Sequence, residues 1–107
     1  MTESLERRFD EEMKNIYWRV LNEASHNAHI FKRMLGEHGG RETARRLINA
    51  PQVSETFVKL WMKKRLDLTF EALIHNNPEW HPLFSEKELE IVQKRLQEYQ
   101  YGPALSR

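Results

Sequence analysis

The stretch SLERRFDEEMKNIYWRVLNEA, residues 4–24, decides the fold class of this sequence. Its apolar residues recur every three or four positions, the spacing that places side chains on one face of an α-helix. These residues are Leu5, Phe9, Met13, Ile16, Tyr17, Val20 and Leu21. On the polar side, Asp10 and Lys14 are four positions apart, which favours the same helix. We therefore predict a long amphipathic first helix that buries one face.

Shorter segments with helical spacing follow. We predict a second helix over 28–37, which begins at the turn over 25–27 because Ser and Asn side chains hydrogen-bond to nearby backbone. Gly39 and Gly40 end it, since glycine adopts the left-handed conformation of many helix ends. A third helix, RETARRLINA, follows over 41–50.

Three further helices are marked by residues typical of helix starts. Ser54 caps a fourth helix that contains Phe57, Leu60 and Trp61. Asp67 is the expected cap of a short helix that runs through Phe70, Leu73 and Ile74 to the turn over 76–78. Ser85-Glu86-Lys87-Glu88 matches the S-x-x-E capping box and begins the last helix, which ends near Gly102.

These segments predict an all-α fold, a compact bundle of about six helices with long terminal helices and short middle helices. The alternation of Leu66, Leu68 and Phe70 also fits a short strand, but no second strand is available to pair with it. A length of 107 residues suits a single domain, with a core over about 5–100 and a tail over 101–107.

Composition excludes several classes of function. There is no cysteine, so disulfides, thiol catalysis and thiolate metal sites are excluded. The formal net charge is +1, far from the basic balance of non-specific nucleic-acid binders. No apolar run approaches the length of a membrane span, and the polar start lacks a signal-peptide core. We expect a cytoplasmic protein that contacts no membrane.

Motifs for catalysis are missing from the sequence. It contains neither a nucleophile elbow nor a phosphate-binding loop, and small helical domains rarely enclose a pocket of 300 Å³ or more. Two groups suggest a metal site: Glu23 and His26, with His29 three residues on, and Glu71 with His75. A di-iron bundle needs two Glu-x-x-His motifs and two further carboxylates, and the sequence has one such motif at a helix end. Glu71 and His75 have no third ligand at a recognisable spacing. A surface ion pair or hydrogen bond explains Glu71 and His75. We expect no enzymatic activity, no metal and no cofactor.

Five cations are candidates for nucleic-acid contact. They are Arg45, Arg46, Lys63, Lys64 and Arg65. At 100° per residue Lys64 falls inside the apolar arc of the fourth helix and Arg65 beside it, so the basic run does not form one outward stripe. The competing interpretation is that these cations complement the helix dipole and that Arg65 pairs with Asp67.

Aromatic residues of the first helix are the clearest sign of a binding surface. Trp18 lies beside Tyr17, and with Leu21 the three residues widen the apolar arc. An arc of that width packs entirely into the core or presents its outer edge to a partner. Tyr17, Trp18 and Leu21 are therefore candidate residues for binding a protein partner or a second copy of the chain.

Four segments in order resemble a family of small uncharacterised bacterial all-helical proteins. They are GGRETARRLI (39–48), SETFVKLW (54–61), RLDLTFEAL (65–73) and PLFSEKELEIVQKRLQEY (82–99). With NIYWRVLNEA and FKRML, the resemblance covers about 10–99. It implies a compact helical fold and carries no activity, cofactor or catalytic residue.

The sequence thus favours a non-enzymatic bacterial interaction or regulatory module that acts through protein–protein contacts. The alternative is a small nucleic-acid-binding protein that uses a basic surface around residues 45–46 and 63–65.

Overall fold

The computed structural model describes residues 4–99 and confirms the all-α prediction. Its α-helices are α1 (Leu5–Ala24), α2 (His29–Ile48), α3 (Glu55–Met62), α4 (Phe70–Asn76) and α5 (Glu86–Glu98). Two 3₁₀ helices, Leu66–Leu68 and Pro78–Leu83, flank α4. No β-strand occurs within residues 4–99, and the alternating segment at Leu66 is part of the first 3₁₀ helix. The predicted tail over 101–107 and the predicted end of the last helix near Gly102 lie outside the described residues.

Helix α1 follows the apolar stripe of the sequence. The Ser4 side chain accepts a 3.1 Å hydrogen bond from the backbone N–H of Arg7 and caps the first turn. Ser25 ends the helix in the left-handed conformation, with φ 53°. The buried face consists of Phe9, Met13, Ile16, Tyr17, Val20 and Ala24. Burial of this face against the other helices holds α1 in place.

Helix α2 contains the second and third predicted helices, which meet at a break. Gly39 interrupts the helical backbone with φ 80° and ψ 170°, values that favour glycine. The next residue, Gly40, is buried against α1, and its backbone N–H donates a 2.7 Å hydrogen bond to Asp10 Oδ1. The prediction of a cap in the turn 25–27 was wrong, because Ala28 holds that position and makes no side-chain cap bond.

Local capping signals explain where the last three α-helices begin. Ser54 Oγ accepts from the Phe57 N–H at 3.1 Å, as expected for the start of α3. Thr69, not Asp67, caps α4: its hydroxyl accepts from the Ala72 N–H at 3.1 Å. The capping box of α5 is confirmed, since Ser85 and Glu88 each bind the other's backbone N–H.

Arg95 ties α5 to the end of α2. Its guanidinium donates to the carbonyl oxygens of Leu47 at 3.0 Å and Ala50 at 2.7 Å. Carbonyls at and just beyond the end of a helix have few helical partners, and a cation there is also favoured by the helix dipole. Buried Arg95 therefore stabilises the end of α2.

Aromatic rings fill the core between the helices. Phe9 contacts Trp80 at a ring-centroid distance of 5.4 Å and Phe84 at 5.5 Å, joining α1 to the second 3₁₀ helix. Phe31 of α2 stacks on Phe70 of α4. Aromatic side chains bury large apolar areas, so these contacts fix the position of the short middle segments.

Candidate functional site

The three candidate partner-binding residues of α1 occupy different environments. Tyr17 is buried, and its hydroxyl donates a 2.8 Å hydrogen bond to Asn27 Oδ1. Leu21 is half-buried and packs against the core. Trp18 is 52% exposed. Of the three, it is Trp18 that presents a large apolar surface to solvent.

Two neighbours hold the Trp18 ring in a defined orientation. Tyr17 contacts it edge to face at a centroid distance of 5.1 Å. The Lys32 ammonium lies 5.8 Å from the centroid of the Trp18 ring and 5.3 Å from that of Tyr17. An ammonium over aromatic faces is attracted by their negative charge density, so Lys32 links α2 to both rings. We call Trp18, Leu21 and Lys32 the Trp18 surface.

Within residues 4–99, three other large apolar side chains are exposed. Ile30 of α2 is 49% exposed, and Trp61 and Met62 at the end of α3 are 45% and 68% exposed. The Trp61 ring packs edge to face on Tyr99 at 5.3 Å, and Tyr99 in turn contacts the core residue Phe57. Trp61 is therefore the outer end of an aromatic chain that reaches into the core.

The arginines among the five candidate nucleic-acid residues are engaged by carboxylates. Arg45 Nε lies 3.0 Å from Glu88 Oε2, and Arg46 Nε lies 3.0 Å from Glu42 Oε2. Arg65 binds two acids: its Nη2 is 2.8 Å from Glu23 Oε1, and its Nε is 3.0 Å from Asp67 Oδ1. The expected pairing of Arg65 with Asp67 is confirmed.

The two lysines of the basic run differ from the arginines. Lys63 caps the end of α3, and Lys64 adopts a left-handed backbone conformation, with φ 61°. Both side chains are exposed, and within the described residues no carboxylate lies within ion-pair distance of either. These lysines, next to exposed Trp61, are the part of the predicted basic surface that faces solvent without an ion pair to a carboxylate of residues 4–99.

A cavity of about 320 Å³ lies between α1, α2, α3 and α4. It reaches the size at which substrate and ligand sites begin, contrary to the expectation for a small helical domain. Its walls are mainly apolar and are built from all four helices. The apolar wall residues are Ile16, Val20, Ala28, Ile30, Phe31, Met34, Leu47, Phe57, Leu60, Leu68 and Phe70. Five exposed residues mark its opening to solvent: Asn27, His29, Ile30, Glu55 and Lys59.

Glu71 is the charged residue among the buried walls of this cavity. It lies in the first turn of α4 and is 1% exposed, so the sequence-based expectation of a surface contact with His75 was wrong. Burial raises the pKa of its carboxyl to about 7, although its own backbone N–H and the charge of Arg95 act in the opposite direction.

His26 sits at the polar side of the same cavity. Its Nε2 is 3.2 Å from Thr56 Oγ1, so the two residues link α3 to the turn after α1. Burial lowers the pKa of His26, and the nearby cations Lys59 and Lys63 lower it further against the opposing charge of Glu55. These surroundings favour the neutral form of the imidazole.

The residues considered for metal binding have other partners. The Glu23 carboxylate binds Arg19 and Arg65, and hydrogen bonds from these two arginines lower its pKa. Within residues 4–99, no three His, Asp or Glu side chains converge as a metal site would require. A helix long and apolar enough to cross a bilayer is likewise not found in this part of the chain.

No known protein family matches the chain, and comparison with curated proteins and with solved structures finds no match either. The resemblance to a bacterial helical family accordingly stays a prediction, and the function must be argued from the geometry described above.

Proposed function

We propose that this chain is a non-enzymatic interaction module that binds a second copy of itself through the Trp18 surface. The observation that carries the proposal is the 52% exposure of a tryptophan held in position by Tyr17 and Lys32. Tryptophan is enriched among the residues that dominate binding energy at protein interfaces. A ring already held in one orientation loses little conformational entropy when a partner covers it.

The surroundings of Trp18 support a protein partner. On α1 the ring is flanked by charged residues that pair within the helix: Lys14 with Asp10 at 3.4 Å, and Arg19 with Glu23 at 3.0 Å. An apolar centre with a polar rim is the arrangement typical of protein interfaces.

Charge favours a second copy as the occupant. The ion pairs on this face of α1 balance each other, and the whole chain has a net charge of +1, so two copies do not repel strongly. A two-fold interface brings the same patch of both chains together, so the patch must be self-complementary and must not repel its own copy. The Trp18 surface has one cation, Lys32, held over the rings of Tyr17 and Trp18, and therefore meets this requirement better than the end of α3 with its two exposed lysines.

Size-exclusion chromatography with light scattering, over a range of protein concentrations, tests the proposal. We expect the mass of the native chain to rise toward twice 12.9 kDa with concentration, and the Trp18→Ser variant to stay at one chain mass. Trp61→Ser is the matched control, because Trp61 is exposed to a similar extent but lies on α3. A native chain that stays monomeric at all concentrations contradicts the proposal, and so does equal loss of dimer in both variants.

Nucleic-acid binding is the second candidate, and one observation favours it. Exposed Trp61 stands beside Lys63 and Lys64, whose charges have no ion-pair partner among the described carboxylates. Cations next to an aromatic ring are typical of surfaces that bind single strands. A gel-shift series across salt tests it. Because phosphate contacts release counterions, two lysines would give a slope of log K against log salt of about −1.4 on a single strand. No shift at low salt would end this candidate.

A further inference from the structure

We propose that the exposed end of α3 docks on an anionic lipid surface, with Trp61 and Met62 in the headgroup region and Lys63 and Lys64 against the acidic headgroups. We call these four residues the α3 tip. This inference is independent of the proposed dimer, which uses α1, and it names a lipid surface instead of a nucleic acid as the occupant of the α3 tip. The sequence-based expectation of no membrane contact rested on the lack of a long apolar run, which a peripheral contact does not need.

The apolar half of the α3 tip consists of two neighbouring residues with large exposed surfaces. Met62 is 68% exposed and Trp61 is 45% exposed, and they are the last two residues of α3. The Trp61 ring is held by Tyr99, which packs against it edge to face at a centroid distance of 5.3 Å. Tryptophan is enriched where bilayer meets water, because that region suits both its apolar ring and its polar N–H. Burial of these two side chains among the headgroups removes apolar surface from water.

The two lysines supply a positive charge that the fold does not neutralise. Lys63 and Lys64 are exposed, and neither forms an ion pair with a described carboxylate. The acid that follows them in the chain, Asp67, is bound by Arg65 at 3.0 Å. Glu55 lies at the opposite end of α3, about 10 Å away along the helix axis. The charge of the α3 tip is therefore complementary to an anionic lipid surface.

The backbone at Lys64 indicates that the fold itself does not favour a lysine there. Lys64 has a left-handed conformation, with φ 61°. Its N–H donates to the Trp61 carbonyl at 3.0 Å, and the Arg65 N–H donates to the Leu60 carbonyl at 2.8 Å. These two bonds form a Schellman motif, in which this position is usually glycine because glycine adopts the left-handed conformation without strain. A cation at a strained backbone position supports a role for its charge outside the fold.

Met62 distinguishes a lipid surface from a nucleic acid as the occupant of the α3 tip. In a complex with a single strand, phosphates bind the lysines and a base stacks on the tryptophan, and neither contact uses an apolar side chain such as Met62. A bilayer interface buries Met62 beside the Trp61 ring, while the flexible lysine side chains keep their ammonium groups at the headgroups. A lipid surface therefore uses all four residues of the α3 tip.

Co-sedimentation of the full chain with vesicles tests the proposal. Vesicles of phosphatidylcholine alone are compared with mixed vesicles of equal parts phosphatidylcholine and phosphatidylglycerol. Each lysine near an anionic surface contributes about fivefold in affinity, so we expect the chain to bind the mixed vesicles about 25-fold more tightly. Equal binding to both kinds of vesicle, or no binding to the mixed vesicles, would overturn the proposal. A chain that binds a single-stranded oligonucleotide but no vesicle would overturn it in favour of nucleic acid.

Two pairs of variants locate the contact at the α3 tip. Met62→Ser should weaken binding to the mixed vesicles about tenfold. Ile30→Ser is its matched control and should bind as the native chain does, because Ile30 is 49% exposed but lies on α2. Lys63→Gln should weaken binding about fivefold, whereas Lys94→Gln, which removes an exposed lysine of α5, should leave it unchanged. Equal effects within either pair would contradict a contact through the α3 tip.

Lys64→Gly separates the lipid contact from the stability of the fold. Glycine relieves the strain of the left-handed conformation, so this variant should unfold at a higher urea concentration than the native chain. The same variant should bind the mixed vesicles about fivefold more weakly, because it has lost a cation. A Lys64→Gly chain that is at least as stable as the native chain and binds the mixed vesicles equally tightly would refute the role of Lys64 in the contact.

Discussion

The backbone N–H of Gly40 donates a 2.7 Å hydrogen bond to Asp10 Oδ1, at a point where α1 and α2 nearly touch. A Cβ atom on residue 40 would lie 2.9 Å from Asp10 Cα, closer than backbone and side chain normally approach. Gly40 follows the break at Gly39, so the second part of α2 begins with an N–H that an acid on another helix satisfies. This contact joins the helix that carries Trp18 to the helix that carries Lys32.

The close approach of α1 to α2 at Gly40 predicts that alanine substitutions at Gly40 and at Gly36 change the free energy of unfolding in opposite directions. Gly40→Ala should lower the free energy of unfolding by about 1 to 3 kcal/mol, because the methyl group forces α1 and α2 apart. Gly36→Ala is the matched control, since a Cβ there meets nothing within 4 Å. An alanine within an exposed helical turn should raise stability by about 0.5 to 1 kcal/mol. Urea unfolding of both variants measures the difference, and equal effects would contradict the geometry.

Glu71 predicts a loss of stability as pH rises. Its pKa is about 7 in the folded chain against an ordinary 4.5, so the folded state keeps its proton where the unfolded state has lost it. The contribution to stability is complete below pH 4.5 and is lost as pH rises through 7, a change of about 3 kcal/mol.

The Glu71→Gln variant isolates this contribution, because glutamine does not titrate. We expect its free energy of unfolding, relative to the native chain, to rise by about 3 kcal/mol between pH 4.5 and pH 8. His26 has a lowered pKa and acts in the opposite sense at acid pH, but both proteins contain it and its contribution cancels. Chemical denaturation of both proteins at several pH values gives the two free energies of unfolding to be compared. A constant difference between the two proteins would show that Glu71 titrates normally.

The contribution of Glu88 to stability should depend on pH in the opposite direction. Burial alone would raise its pKa, but the Ser85 N–H, the Asn49 amide and Arg45 together hold its pKa below the ordinary value. The stability that it contributes is present above pH 4.5 and is lost as pH falls through its native pKa. Glu88→Gln should therefore lower the free energy of unfolding by about 1 to 3 kcal/mol at pH 7, and by less in acid. Thermal or urea unfolding at several pH values measures this difference. Glu90→Gln, on the exposed side of α5, should leave the free energy of unfolding almost unchanged. Equal losses in the two variants would contradict a stabilising role for the hydrogen bonds to Glu88.

Local signals in the sequence were sufficient to predict most of the fold. The stripe from Phe9 to Val20 identified α1, and Ser54 and Ser85 marked the starts of α3 and α5 correctly because a cap acts on residues three positions away. The cap of α4 was misassigned to Asp67, since Asp67 and Thr69 both suit the position and tertiary packing of the 3₁₀ helix decides between them.

The candidate sites depended on contacts between distant residues and were predicted less well. Periodicity placed Tyr17 and Trp18 together at the edge of one arc, whereas packing buries the first and exposes the second. The burial of Glu71 had no local signal, because it arises where α4 is enclosed by several elements at once. A short helix whose Phe70, Ala72 and Ile74 are all buried has little polar face left, and that fact emerges only from the assembled bundle.

Cysteine cross-linking tests the proposed dimer most directly, because the chain contains no cysteine of its own. Asn22 is exposed on α1 one turn beyond Trp18, and Lys94 is exposed on α5. We expect Asn22→Cys to form a disulfide-linked dimer rapidly under mild oxidation, and addition of Trp18→Ser to suppress it, while Lys94→Cys links only slowly. Equal rates at positions 22 and 94, or cross-linking at position 22 that persists without Trp18, would contradict a dimer formed through the Trp18 surface.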